Sequence, residues 1–120
     1  MQMAHVTRAS IGNVMYPVAD VVAAAEFYHR ALTLPVKFVD GVRFAMLDAG
    51  TPLALAGPGE DLAGTSIVAS FNVIDVNASL EAMLDAGGTL RVAPSAGPHE
   101  TRAVAEDPWG NAFVLYTSRS

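Results

Sequence analysis

Hydrophobic and polar residues alternate along two stretches of the chain, Ile11 to Val18 and Ile67 to Val73. A period of two residues is typical of a strand that buries one face. An aspartate follows each stretch, Asp20 and then Asp75, where its carboxylate can cap the start of a helix. Beyond both aspartates the apolar residues recur at helical spacing. The pattern therefore predicts a strand followed by a capped helix, twice in one chain.

Three short alternating runs follow each predicted helix, with glycine or proline between them. The second helix ends at Gly87-Gly88, a natural C-terminal signal. The segment "APSAGPHE" (Ala93 to Glu100) is predicted to be a flexible loop. The predicted helices cover about 20–32 and 76–86, and the strands that follow them cover about 36–39, 42–48, 52–56, 89–93, 101–106 and 111–117.

The order of elements occurs twice because the sequence repeats itself. The first strand and helix match the second at an offset of 55 residues, "RFAMLDAG" matches "RAVAEDPW" at 59, and Leu53 and Leu55 match Phe113 and Leu115 at 60. We therefore predict one α+β domain of two tandem βαβββ modules, about 10–56 and 67–117, joined by a linker at 57–66. Their curved sheets are expected to enclose a cleft, where small molecules bind.

Composition and charge narrow the class of protein. The chain has 120 residues, of which 52% are hydrophobic and 16% are charged, as in a globular domain with a substantial core. A formal charge of −5 argues against nucleic acid or an anionic membrane as partner, since both need a basic face. The absence of cysteine and of a long apolar run agrees with a cytoplasmic protein.

Three motifs carry a resemblance to a known family: the strand-Val-x-Asp helix start, "FYHRALTL" late in the first helix, and "DPWGNAFVLY" at the last strand. From about Ser10 to Thr117 the chain resembles the glyoxalase/bleomycin-resistance/extradiol-dioxygenase superfamily, also called the vicinal oxygen chelate fold. The resemblance implies the two-module fold, a small-molecule ligand and, as in the drug-resistance members, a homodimer.

The resemblance also implies four positions at which enzymes of the superfamily hold a divalent metal. In this chain those positions carry Asn13, Ala54, Val68 and Val114. A divalent cation needs carboxylate or imidazole donors in sufficient number, and one neutral amide with three apolar side chains does not supply them. We therefore expect neither a metal nor another cofactor.

Strand alternation sends one set of side chains toward the helices and the other toward the cleft. The helix-facing set is Val14, Tyr16, Leu53, Leu55, Ala69, Phe71, Phe113 and Leu115. The predicted ligand-binding residues are Asn13, Met15, Ala54, Val68, Ser70, Asn72, Arg102, Trp109, Ala112, Val114 and Tyr116. The predicted cleft floor is apolar and uncharged, with a few neutral hydrogen-bonding groups. The alternative is a closed core between the sheets, against which the small alanines count because they leave space.

The titratable residues offer few candidates for catalysis, and the catalytic residues are unknown. Tyr116, His99 and Glu100 are the candidates for proton transfer, although no partner orients the imidazole. Arg43 and Arg102 fall at equivalent places in the two copies, which favours a structural role; at the cleft mouth they could bind an anionic substituent. Trp109 suits a packing or rim position as well as a ligand platform.

Two functions remain open, and a third is less favoured. The first is a binder that sequesters a bulky, partly aromatic natural product or antibiotic, as the drug-resistance members of the superfamily do. The second is a metal-free isomerase, cyclase or lyase, with Asn13 and Asn72 polarising a carbonyl group. The third is a metal-dependent lyase or dioxygenase whose ligands are displaced from the positions above.

Overall fold

The computed structural model describes residues 8–60, 64, 66–97 and 100–118. Its elements follow the predicted order and class, α+β with two βαβββ modules. Module one consists of β1 (Ser10–Pro17), α1 (Val21–Leu32), β2 (Val36–Asp40), β3 (Phe44–Ala49) and β4 (Thr51–Ala56). Module two consists of β5 (Val68–Asn72), α2 (Val76–Asp85), β6 (Thr89–Ala96), β7 (Glu100–Glu106) and β8 (Ala112–Ser118).

The chain divides into two compact units that follow the repeat. One covers Gly12–Ala69, and the other begins at Ser70 and includes the described residues that precede Gly12. Module one has the strand order β2-β3-β4-β1, in which only β1 and β4 pair in parallel. Module two has the order β5-β8-β7-β6, in which only β5 and β8 pair in parallel. Each unit therefore has the same internal topology.

Both helices begin at the predicted aspartates. Asp20 Oδ1 accepts a hydrogen bond from the Ala23 N–H at 3.0 Å, and Asp75 Oδ1 accepts one from the Ala78 N–H at 3.1 Å. An N-cap of this kind stabilises a helix by about 1 kcal/mol relative to alanine. Neither helix in the described part of the chain is long and apolar enough to cross a membrane.

Each helix packs on one face of its own strands. In module one the buried cluster joins α1 to β3 and β4: Val21, Ala25, Ala45, Leu47, Leu53 and Leu55. In module two it joins α2 to β7 and β8: Val73, Val76, Leu80, Ala103 and Leu115. Tyr16, Phe71 and Phe113 pack against these clusters, as the alternation predicted. The residues between them along each strand therefore point away from the helices.

Strand pairing corrects one predicted equivalence between the copies. Ala45 pairs with Leu55, and Ala103 pairs with Leu115, so the third strands of the two modules match at an offset of 58 residues, not 59. The residue equivalent to Arg102 is therefore Phe44. The predicted equivalence of Arg43 and Arg102 is wrong because it relates residues on opposite faces. Arg43 lies in the exposed turn before β3 and forms an ion pair with Asp40.

The predicted loop at 93–100 is also corrected, because β6 continues to Ala96 and β7 begins at Glu100. The β6–β7 ladder is irregular between the pairs Val92–Val104 and Ser95–Arg102. Pro94 lies within this irregularity. Proline has no N–H to donate, so strands accommodate it at an edge or a bulge, and β6 is the last strand in its order.

Candidate functional site

The turn from Asp107 to Asn111 sets the register of β8. Asp107 Oδ1 accepts hydrogen bonds from the Trp109 and Asn111 N–H groups, both at 2.9 Å, and Asn111 Nδ2 donates to Asp107 Oδ2 at 2.8 Å. The Asn111 side-chain hydrogen bond, followed by the backbone bonds, lowers the pKa of Asp107. Gly110 has φ of +90°, a left-handed conformation that glycine adopts without strain. The turn therefore holds β8 so that Phe113 and Leu115 pack on α2.

The other face of module two brings together side chains from β5, β7 and β8. Ser70 pairs with Val114, and Tyr116 pairs with both Asn72 and Arg102. We call the module-two face the set of Ser70, Asn72, Glu100, Arg102, Val104, Ala112, Val114 and Tyr116. It unites six of the predicted ligand-binding residues on one side of one module. The prediction of an uncharged floor is wrong here, because β7 contributes Glu100 and Arg102.

Arg102 is the central polar group of this face. Its Nη1 donates to Glu100 Oε2 at 3.0 Å, and both side chains are partly buried. Its Nε is buried and has no hydrogen-bond partner among the residues that the structure describes. A buried N–H without an acceptor costs free energy, so this atom is a candidate contact for a ligand oxygen.

Tyr116 lies beside Arg102 on the neighbouring strand. Burial, and then the negative charge of Glu100, raises the pKa of Tyr116 above its ordinary value of 10.0. The phenol therefore stays protonated at neutral pH and can donate a hydrogen bond. Of the three candidates for proton transfer, Tyr116 and Glu100 both lie on the module-two face, while His99 lies outside the described residues.

Module one presents a different surface on its corresponding side. Ala54 pairs with both Met15 and Met46, and Phe44 pairs with Ala56. The Phe38 ring stacks on the Phe44 ring with centroids 6.2 Å apart and planes 25° from parallel. We call the module-one face the set of Asn13, Met15, Phe38, Phe44, Met46, Ala54 and Ala56. Its side chains are apolar except for Asn13.

Asn13 is the one polar side chain of the module-one face. Its Oδ1 is buried and accepts no hydrogen bond in the part of the chain that the structure describes. The unmet acceptor requires an N–H or O–H donor, which a ligand can supply.

The predicted list omitted Phe38, Phe44 and Met46, which supply most of the apolar surface of this face. An offset of 58 in the third strand would have placed Phe44 and Met46 opposite Arg102 and Val104 and so on the correct side. Phe38 lies beyond a register shift in β2, and such a shift leaves no clear trace in the sequence pattern.

The remaining predicted residues are placed as follows. Val68 is buried and lies on the same side of β5 as Ser70, which is also buried. Asn72 is exposed. Trp109 is 83% exposed in the turn before β8, and strand pairing does not bring it to the module-two face. The packing interpretation of Trp109 is therefore wrong, because only its backbone N–H is engaged by the turn.

The four positions where the superfamily holds a metal do not fit one in this chain. Asn13 supplies one neutral oxygen, and Ala54, Val68 and Val114 supply no donor. Within the described ranges, no three of His, Cys, Asp and Glu lie close enough to hold a metal ion. The donor set at these positions therefore lacks the carboxylates or imidazoles that a divalent cation requires.

Comparison with known proteins identifies similar chains. The family model described as a glyoxalase-like domain matches residues 13–116. An uncharacterized protein of Mycolicibacterium smegmatis is 35% identical over 91 residues, which are 75% of this chain and 78% of that protein.

Two solved structures have a similar fold. A glyoxalase/bleomycin resistance protein/dioxygenase superfamily member from Vibrio splendidus 12B01 gives a TM-score of 0.69 at 17% identity, over 92% of this chain and 99% of that one. Methylmalonyl-CoA epimerase from Streptomyces coelicolor gives a TM-score of 0.67 at 26% identity, over 97% of this chain and 100% of that one.

Proposed function

The chain belongs to the glyoxalase-like domain family, and we propose that it binds a bulky, partly aromatic small molecule in the cytoplasm without a metal and acts by sequestering it. The observation that carries the proposal is the module-one face, where stacked aromatic rings and two methionines lie beside small alanines. Aromatic and thioether side chains suit a ligand ring, since both offer polarizable apolar surface. Apolar area supplies affinity, and a few polar groups supply orientation.

The buried polar atoms support binding over a purely structural role for these faces. Asn13 Oδ1 on the module-one face and Arg102 Nε on the module-two face are both buried and unpartnered within the described residues. Folded proteins pair most such atoms, so exceptions are expected where a ligand completes the hydrogen bond. As in the drug-resistance members of the superfamily, we expect the protein to act as a homodimer, which size-exclusion chromatography with light scattering tests.

The proposal is tested with a panel of planar aromatic antibiotics that includes daunorubicin, whose fluorescence reports binding. We expect a dissociation constant below about 1 μM, equivalent to about 8 kcal/mol of binding free energy. Mass spectrometry of the released compound should show it chemically unchanged. Failure of every compound in the panel to bind would contradict the proposal.

A matched pair of variants locates the ligand. Phe44→Ala removes the central ring of the module-one face and should weaken binding about tenfold or more. Phe27→Ala removes an exposed ring of α1 and should leave the affinity unchanged. Equal losses in the two variants would place the ligand elsewhere.

A metal-free isomerase is the second candidate function, favoured by the cluster of Glu100, Arg102 and Tyr116. A carboxylate and a protonated phenol on one face are the groups that a proton transfer needs. The fold likeness to an epimerase agrees with such a reaction. The test is incubation of the bound compound in D₂O. Deuterium incorporation that is lost in Tyr116→Phe or Glu100→Gln favours the isomerase, and an unlabelled compound favours the binder.

A further inference from the structure

We infer that Arg102 Nε and the Tyr116 hydroxyl form a subsite for a neutral carbonyl oxygen of the ligand. The inference deepens the proposed function and rests on it, since it names the chemical group that the module-two face recognises. It begins from the one buried donor of this face that has no acceptor in the described part of the chain.

Arg102 is held in place before any ligand arrives. The guanidinium is charged at every physiological pH, and its Nη1 is occupied by Glu100 Oε2 at 3.0 Å. This ion pair fixes the planar group and, with it, the direction of the Nε–H bond. Because Nε is buried, its N–H needs an acceptor supplied at the face itself. An oxygen atom of a ligand meets that need.

Tyr116 supplies a second donor to the same place. Arg102 and Tyr116 are direct partners across the β7–β8 ladder, and their side chains leave the sheet on the same side. Directly opposed residues in an antiparallel pair have Cβ atoms about 5 Å apart. The phenol is protonated at neutral pH because burial and Glu100 raise its pKa. A carbonyl oxygen has two lone pairs and can accept from both donors.

The charges around this subsite favour a neutral oxygen over an anion. The positive charge of Arg102 is balanced by Glu100, and Glu106 on the same strand is balanced by Arg91 at 3.2 Å. No surplus positive charge remains among these four groups to attract a carboxylate. An anionic ligand would also meet the field of Glu100, which already disfavours the tyrosinate form of Tyr116. Ketones, amides and quinones carry the neutral acceptor that this arrangement fits.

Three naphthalene probes of nearly equal size separate the possibilities: 2-acetylnaphthalene carries a ketone, 2-isopropenylnaphthalene replaces the ketone oxygen by carbon, and 2-naphthoate carries an anion. Binding is followed by ¹H–¹⁵N NMR, which observes arginine Nε–H groups directly. We expect the ketone to bind about tenfold more tightly than the alkene, the gain typical of a hydrogen bond to a charged group. The Arg102 Nε–H resonance should shift with the ketone and stay unmoved with the alkene.

Two variants assign the effect to Arg102. Arg102→Lys keeps the charge opposite Glu100 but removes the Nε–H, and it should abolish the preference for the ketone. Arg43→Lys is the matched control, since Arg43 is exposed and also paired with a carboxylate, and it should keep the preference. Amide peak dispersion confirms that both variants fold.

Each contrary outcome has its own meaning. Equal affinity for ketone and alkene would overturn the subsite while leaving small-molecule binding intact. Tighter binding of the naphthoate would overturn the choice of a neutral group. The alkene alone reports whether an aromatic ligand binds at all, so binding of none of the three probes would overturn the subsite and count against the proposed function as well.

Discussion

The two modules share a topology and differ in the face that each turns away from its helix. At equivalent strand positions, module one is apolar where module two is polar. The pairs, with the residue of module one first, are Met15 and Ser70, Pro17 and Asn72, Phe44 and Arg102, and Ala56 and Tyr116. The helix side shows no such contrast, since Leu55 and Leu115, or Ala45 and Ala103, are alike.

The contrast shows where the repeated scaffold is constrained. Helix-facing positions must fill a core at high packing density, so both copies carry small or branched apolar residues there. The opposite face carries no such demand, and the two copies have acquired different chemistry. One face offers contact area and the other offers hydrogen-bond donors, which together are what recognition of an aromatic ligand with polar substituents requires.

Truncation of the two cores should give the largest effect and tests their likeness. Leu55→Ala and Leu115→Ala remove equivalent buried side chains. Each should lower the free energy of unfolding by about 3 kcal/mol, through lost burial and the cavity left behind. Leu32→Ala, at an exposed position of α1, should change it little. Urea denaturation measures all three, and a loss below about 1 kcal/mol at either core site would break the equivalence.

Exchanging polarity at the first site of each face should have a smaller effect. Asn13 and Val68 occupy equivalent positions, but only Asn13 carries a buried unmet acceptor. Val68→Asn should lower the free energy of unfolding by about 2 kcal/mol, the cost of burying an unpaired amide. Asn13→Leu should raise it by about 1 kcal/mol while weakening ligand binding. Destabilisation by Asn13→Leu would show that the amide is already satisfied.

The alkaline limit of stability should sharpen the contrast between Ala56 and Tyr116. Since the folded-state pKa of Tyr116 is raised, its contribution to stability is complete below pH 10.0 and is lost as the pH rises through the folded-state value. The absorbance difference at 295 nm between the wild type and Tyr116→Phe should titrate above pH 10.0. Glu100→Gln should move this midpoint down. A midpoint at or below 10.0 would contradict the burial of the phenol.

The hairpin turns should give the smallest effect. Asp107 accepts three hydrogen bonds in its turn, while Asp48 in module one accepts one, from the Gly50 N–H. Because the pKa of Asp107 is lowered, its stabilisation is complete above pH 3.8 and falls as the pH drops through the lower folded-state value. The stability gap between the wild type and Asp107→Ala should therefore narrow below pH 3.8, and a gap independent of pH would contradict the assignment. Thermal unfolding across the acid range measures it.

Much of the fold could be predicted because its local signals agree. Alternation placed β1 and β5, the two capping aspartates placed both helices, and the offset of 55 related Asn13 to Val68 correctly. The third strands failed because a local match between Arg43 and Arg102 favoured an offset that differs by one residue from the real one. In a strand one residue changes the face, so the aromatic character of module one was hidden.

The rest of the site depends on features that the pattern does not encode. The Phe38–Phe44 stack follows a register shift in β2, and the length of β6 follows from an irregular ladder that accommodates Pro94. The pairing of Glu100 with Arg102 is different, because residues two apart in a strand share a face. That pair, and hence the charge on the module-two face, was open to prediction from the sequence.

The hairpin between β7 and β8 also bears on how such a chain can change length in evolution. Asp48 pairs with Pro52 in module one, and Glu106 pairs with Ala112 in module two, so the second hairpin carries two additional residues. An insertion of two codons leaves every residue of β8 opposite its former partner. A deletion of one codon would shift the strand by half a repeat or force a bulge, and could present Phe113 and Leu115 to the ligand in place of Val114 and Tyr116. Insertions and deletions in even numbers are therefore the changes that this turn tolerates.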